Sequence, residues 1–211
     1  GMVGQGVLRE CLADSEVDEV LIIGRNASPV DDPKVRQIVR DELSDYADVE
    51  GELAGFNACF FCLGVSAAGM DKSQYTAITY ELTLAVAQTF ARFNPDMTFI
   101  YVSGHGTDSS EQGRTMWARV KGRTENALLE LPFRAAYMFR PAFIQPMHGI
   151  RSRTRAYRVL YAIFGPLFPI LNALFPKYVT TTEQVGRAML AVAKQGHPTP
   201  VVDNEAIRAF E

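Results

Sequence analysis

From Val17 onward, short apolar runs bounded by turn residues alternate with longer stretches of helical periodicity, and that alternation leaves few folds open. The apolar runs are Val17–Ile23, Val35–Val39, Asn57–Gly64, Met97–Val102, Ala135–Phe139 and Pro200–Val202. Between them lie helical patterns over Ala47–Leu53, Tyr75–Phe93, Trp117–Leu131 and Gln184–Ala193, the last opened by a capping-box spacing from Thr180 to Glu183. Strands separated by helices pair in parallel through right-handed crossovers. The run Asn57–Gly64 is apolar without interruption, as a strand buried on both faces must be. The expected fold is therefore α/β, a doubly wound parallel sheet with helices on both faces. A chain of 211 residues is enough for one such domain with a small appendage.

Ligands of open parallel sheets bind at the carboxyl ends of the strands, so the residues just after each run are the candidate site. Gly1-Met2-Val3-Gly4-Gln5-Gly6 opens directly into a helical pattern at Val7–Leu12. A glycine-rich loop feeding a helix start offers unpaired N–H groups and the positive dipole end to a phosphate. The strand that ordinarily precedes such a loop is not in this sequence, and the expectation is a sheet lacking its first strand. Arg25 closes the next run, where a bound dinucleotide would place its adenosine ribose; a guanidinium there suits a 2′-phosphate, as in NADP, although a solvated strand-end arginine reads the same way. Leu63-Gly64-Val65-Ser66 forms a small-residue corner at the end of the Asn57–Gly64 run, and Arg140-Pro141 follows the Ala135–Phe139 run.

Between Phe99 and Glu125 the chain runs FIYVSGHGTDSSEQGRTMWARVKGRTE, an apolar strand, a polar loop and a helix entry. Trp117 and Lys121, four residues apart, share one helical face. Lys121 is either a ligand-holding cation or a solvated helix lysine. Ser103, His105, Asp108 and Ser109 lie in the loop, and His105 carries its only imidazole, the side chain best suited to passing a proton. Cys59 and Cys62 have redox-motif spacing inside an apolar run, which favours packing over reactivity. The three cysteines make an odd count, against a disulfide framework. No spacing of His, Cys or carboxylates suggests a metal site. A net charge of -3 gives no general attraction to nucleic acid. No signal-peptide pattern is visible, so the cytoplasm is the expected compartment.

The segment after Ile150 is different in kind. Arg151, Arg153, Arg155 and Arg158 precede VLYAIFGPLFPILNALFP, which carries no charge. Gly165, Pro166 and Pro169 break any helix across it, so a membrane span is disfavoured. The expected organisation is a binding domain over 1–150, an apolar lid or dimer-contact segment over 151–182, and a return to the sheet over 183–211. Contact with an anionic membrane surface is the weaker reading of the same segment.

GMVGQGVLREC, the Cys62–Ser66 corner, YVSGHGTDSS, Val120-Lys121-Gly122 with Glu125, and FRPAFIQP together resemble the atypical, extended-type short-chain dehydrogenase/reductase group, including proteins often labelled nucleoside-diphosphate-sugar epimerases. The resemblance runs from Gly1 to the Thr180–Ala193 helix. It implies a Rossmann-type fold binding NADP or NAD through Gly1, Met2, Val3, Gly4, Arg25, Leu63, Gly64, Val65, Lys121 and Pro141. Gly1 and Gly4 match the later glycines of the phosphate loop. Lys121 matches the lysine of the group's Tyr-x-x-x-Lys pair, and Trp117 stands at the tyrosine position. The serine position falls on Gly104 or, one residue earlier, on Ser103. An indole donates a hydrogen bond but releases no proton near neutral pH. The implied catalytic set is thus Lys121, Ser103, Trp117 and, as substitute proton donor, His105. Two functions follow: an NADP-dependent oxidoreductase or epimerase-like enzyme on an unidentified small molecule, or a non-catalytic NADPH-sensing or partner-binding protein.

Overall fold

The structure, a computed structural model, describes residues 1–150, 168 and 174–210. Most of the apolar segment expected as a lid, dimer contact or membrane-surface element lies outside those residues. The chain opens in helix α1 (Met2–Ala13), then gives strands β1 (Val20–Gly24) and β2 (Val35–Val39). Strand β3 (Ala58–Phe61) follows, with the short helix α2 (Lys72–Thr76), a π-helical turn over Ala77–Glu81 and helix α3 (Leu82–Phe93). Next come β4 (Thr98–Val102), α4 (Met116–Leu129), β5 (Ala135–Arg140) and β6 (Phe143–Gln145). The chain ends in β7 (Val179–Thr181), α5 (Thr182–Gln195), β8 (Val201–Asp203) and α6 (Asn204–Arg208).

All pairings among the described strands are parallel, as the alternation predicts. The main sheet has the order β3-β4-β5-β8, while β1 and β2 form a separate pair and β6 and β7 another. Among the described residues β1 bonds to β2 and β3 bonds to β4, and no pairing links β1 to β3.

Helices cover both faces. On one face Val86, Ala87 and Phe90 of α3 and Leu128 of α4 pack against Phe61, Phe99, Tyr101 and Met138. On the other, Val7 and Cys11 of α1 and Val185, Ala188, Met189 and Val192 of α5 pack against Ile100, Phe139 and Val202. Strand neighbours alternate between these two cores because successive side chains point to opposite faces. Cys59 accordingly packs into the first core and Cys62 against the second, so the pair expected to pack rather than react does sit on opposite faces. Burial pushes both thiols up to about 12.

Several local expectations are corrected. The glycine-rich start is helix rather than loop: Gly4 and Gly6 lie within α1. Glycine inside a helix costs roughly 1 kcal/mol against alanine, and here Gly6 is needed for packing. A Cβ on it would come within 2.4 Å of the Thr182 carbonyl oxygen, and one on Gly186 within 2.8 Å of the Gly6 carbonyl. The expected helix over Ala47–Leu53 is a single 3-10 turn at Glu50–Glu52, stabilised locally by Arg92 reaching Glu50. The box expected from Thr180 to Glu183 forms one residue later, between Thr181 and Gln184. The run Asn57–Gly64 packs on both faces but is not fully buried; in β3 only Phe61 is. The strands β6 and β7 went unforeseen because three-residue pairs carry almost no periodicity.

Candidate cofactor site and active site

The carboxyl ends of the strands open onto a cavity of about 2040 Å³. Gly1, Met2, Val3, Gly4, Arg25, Leu63, Gly64, Val65, Ser103, His105, Trp117, Lys121 and Pro141 all line it, so the residues singled out in the sequence converge on one place. They arrive from six directions: the start of α1, the end of β1, the corner after β3, the loop between β4 and α4, the first turns of α4 itself, and the end of β5. Gly1 is the N-cap of α1, without a side-chain cap, and Gly1, Met2, Val3 and Gly4 bring the positive end of the helix to the cavity wall.

The loop after β4 is fastened at many points. Ser103 and Gly104 donate their N–H groups to the Phe139 carbonyl, and His105 donates to that of Pro141 at 2.9 Å. Thr107 donates its hydroxyl to the Gly104 carbonyl at 2.8 Å. Asp108 donates its N–H to the Ala118 carbonyl of α4. Gly122 makes that approach feasible, since a Cβ there would fall 1.8 Å from the Asp108 carbonyl oxygen. Gly104 has φ +114, in the region favouring glycine, and faces the Lys121 ammonium.

Lys121 donates from Nζ to the main-chain carbonyl of Ser103. Burial holds its pKa below the usual lysine range, with the Glu125 carboxylate pulling the other way. Glu125, 1% exposed, receives the Ser103 hydroxyl and both ends of the Arg140 guanidinium, and Arg140 also reaches the Ser109 hydroxyl. Trp117 lies on the cavity wall against Gly106, whose φ is +83 and whose Cβ would sit 3.3 Å from the ring.

The four loop groups that could replace a tyrosine proton donor are thereby sorted. The Ser103 hydroxyl is engaged by Glu125, and the Ser109 hydroxyl meets Arg140. The Asp108 carboxylate accepts from Ser110 and from the Gly113 N–H at 2.7 Å, which holds its pKa below the usual carboxylate range. His105 is exposed, lines the cavity, and meets the ring of Tyr178 edge-on at 5.7 Å between centroids. Arg140 was placed at a strand end in the sequence but given no role, and its pairing with Glu125 is supplied by the fold; Tyr178 was missed, because it is brought in from far along the chain and left no local signal.

Arg25 is exposed at the cavity margin. Among the described residues no group of three or more His, Cys, Asp or Glu could hold a metal ion, and no helix is long and apolar enough to cross a membrane.

No family model matches the chain. It is 30% identical over 135 residues to the leucinostatins biosynthesis cluster protein T of Purpureocillium lilacinum, a match covering 62% of this chain and 49% of that protein. The chain thus spans about half the length of that relative. Among solved structures it is similar to the Bordetella bronchiseptica enzyme WbmF in complex with NAD+, with a TM-score of 0.63 and 16% identity over 97% of this chain and 70% of WbmF. It is also similar to DesIV of Streptomyces venezuelae, a dTDP-glucose 4,6-dehydratase with NAD bound, with a TM-score of 0.67 and 18% identity over 96% of this chain and 72% of DesIV. At such identities the likeness is one of architecture, and the chain carries the Rossmann-type α/β fold that these NAD-bound enzymes share.

Proposed function

We propose that the chain binds a nicotinamide dinucleotide across the carboxyl ends of its strands and acts as an NADP-dependent oxidoreductase or epimerase-like enzyme on a small molecule. The observation carrying this reading is that Lys121, Arg25, the start of α1, the Leu63–Val65 corner and Pro141 all line one cavity. These residues fit such a group chemically. The positive end of α1 at Gly1–Gly4 suits a pyrophosphate, the Arg25 guanidinium suits a 2′-phosphate, and the Lys121 ammonium suits ribose hydroxyls. A cradle of glycine at 104 keeps the wall before Lys121 free of side chain.

When bound, the cofactor would supply the hydride-transfer chemistry that no side chain can. The chain's own contributions are then distinct. Lys121 is fixed by the Ser103 carbonyl and holds the ribose. Trp117 walls the cavity and excludes water from it. His105 gives a proton to the substrate oxygen, the role the indole cannot fill.

A second reading, a non-catalytic NADPH-sensing protein, draws support from Trp117 and from the engagement of the Ser103 hydroxyl by Glu125. One experiment addresses both. The chain contains a single tryptophan, Trp117, so its fluorescence reports directly on the cavity. Saturable quenching on adding NADPH is expected, and its absence would sink the cofactor reading. If quenching occurs, Trp117→Tyr tested over a panel of carbonyl compounds separates the two readings: gained turnover marks a diverted reductase, and unchanged silence marks the sensor.

A further inference from the structure

Around His105 the cavity wall is aromatic. Trp117 and Phe143 both line it, and each is tied to His105 by a different route. Trp117 comes through Gly106, the residue after His105, where an added Cβ would stand 3.3 Å from the edge of the indole. Phe143 comes through Pro141, two residues before it, whose carbonyl receives the His105 N–H at 2.9 Å. A Cβ on Gly104 would be 3.8 Å from the Lys121 Nζ and 3.8 Å from the Pro141 carbonyl oxygen, so the wall between those two residues carries no side chain.

The fold fixes a third ring beside these two. Phe143 opens β6, whose register sets it opposite Val179 of β7, and Tyr178 immediately precedes Val179. Asn204, 3% exposed, ties the two strand starts together: its side chain accepts the Ala142 N–H at 2.9 Å and donates to the Lys177 carbonyl at 2.9 Å. Tyr178 then meets the His105 ring edge-on, with the Lys177 ammonium 5.0 Å from its centroid, and Phe143 is backed by Phe168 at 6.1 Å between centroids. Yet Tyr178 is 41% exposed, and Phe143 and Trp117 are only half-buried. Rings held this firmly, with surface not consumed by the core, suit a further ring. The cations lining the cavity mostly lie elsewhere: Arg25 follows β1, Arg134 precedes β5, and Lys194 pairs with Asp14 and Glu16. A diphosphate would call for guanidinium groups at this wall, whereas a neutral ring calls for none.

We infer that this wall is the substrate subsite and that the substrate is an aryl aldehyde or ketone, its ring against Trp117, Phe143 and Tyr178 and its carbonyl oxygen at His105. The inference rests on the proposed function, from which it takes His105 as the proton donor. An aryl carbonyl is flat through the reacting carbon, so side chains that hold the ring also fix which face of the carbonyl is presented. Its product is the aryl alcohol: NADPH, the reductant of the proposed function, supplies the hydride that bonds to the carbonyl carbon as the C=O π bond opens, and His105 supplies the proton on oxygen.

The test is titration calorimetry on the full chain, with and without NADP+, using 2-acetylnaphthalene and its fully saturated decahydro counterpart, which share one carbon skeleton and differ in aromaticity. The aryl ketone should bind about tenfold more tightly than the saturated one. Equal affinity, or no binding of either, overturns the inference, and so does tighter binding of UDP, which would mark a nucleotide-linked substrate. Phe143→Leu and Tyr178→Leu keep an apolar side chain and remove the ring, and each should weaken the aryl ketone by about fivefold with little effect on the saturated one. Unchanged affinity in both variants would seat the ring elsewhere and overturn the inference. The comparison of the two ketones on the parent chain needs no variant, so a substitution that fails to fold leaves the test intact. The aryl preference persisting with no response to NADP+ would uphold the subsite while the cofactor reading falls, and NADPH quenching of Trp117 without an aryl preference would sink the subsite alone.

Discussion

Glu125 and Arg140 form a two-pronged ion pair beneath the loop after β4, with Arg140 donating from Nε to Oε1 at 3.0 Å and from Nη2 to Oε2. The pair joins the last third of α4 to the end of β5, and through the Ser103 hydroxyl it also fixes the strand end that holds Lys121.

Removing one partner leaves the other charge with its solvation stripped and unpaid for. Glu125→Ala should therefore lower the unfolding free energy by about 3 kcal/mol. Urea denaturation monitored by circular dichroism measures this, and a loss below about 1 kcal/mol would show the pair to be dispensable.

Lys121 carries a pH signature of the opposite sense to a salt-bridged lysine. Its folded-state pKa is lowered by burial from the ordinary 10.5, so between the two values the unfolded chain binds more protons. Its contribution to stability is thus unfavourable below the folded pKa and is relieved as pH rises towards 10.5. The stability difference between the parent and Lys121→Met should shift in favour of the parent across that window. A flat difference would place the ammonium in water.

Gly6→Ala tests the contact between α1 and α5. The added methyl meets main chain, which cannot rotate away, so the helices must part and the core of Val7, Val185 and Met189 must loosen. Overpacking of this kind costs about 2 kcal/mol. A lowered thermal midpoint is expected, whereas Gly64→Ala, with nothing within 4 Å of the added carbon, should leave it unchanged.

On the proposed 2′-phosphate role, Arg25→Ala should weaken NADPH binding by about tenfold or more while sparing NADH, since a charge-assisted pair with that phosphate is one NADH cannot make. Titration calorimetry with both nucleotides decides it. An equal loss for both would remove Arg25 from the 2′-phosphate.

Much of the architecture was legible from residue order alone. Apolar runs at β1, β2, β3, β4, β5 and β8, each bounded by turn residues, required parallel strands, and the stripe on Leu82–Phe93 required a helix on the sheet. The residues that line the cavity were legible for the same reason: in such a sheet the position after a strand is a place in space as well as in sequence. Tertiary structure alone decided the rest. Whether a hydroxyl at Ser103 is available depends on Glu125 and Arg140, which approach it from another helix and another strand. Whether glycines at the start form a loop or a helix depends on Thr182 and Gly186, far along the chain, because close helix packing outweighs glycine's weak local preference. The lowered pKa of Lys121 has the same origin, since burial is a property of everything folded around a side chain and of nothing adjacent to it in sequence.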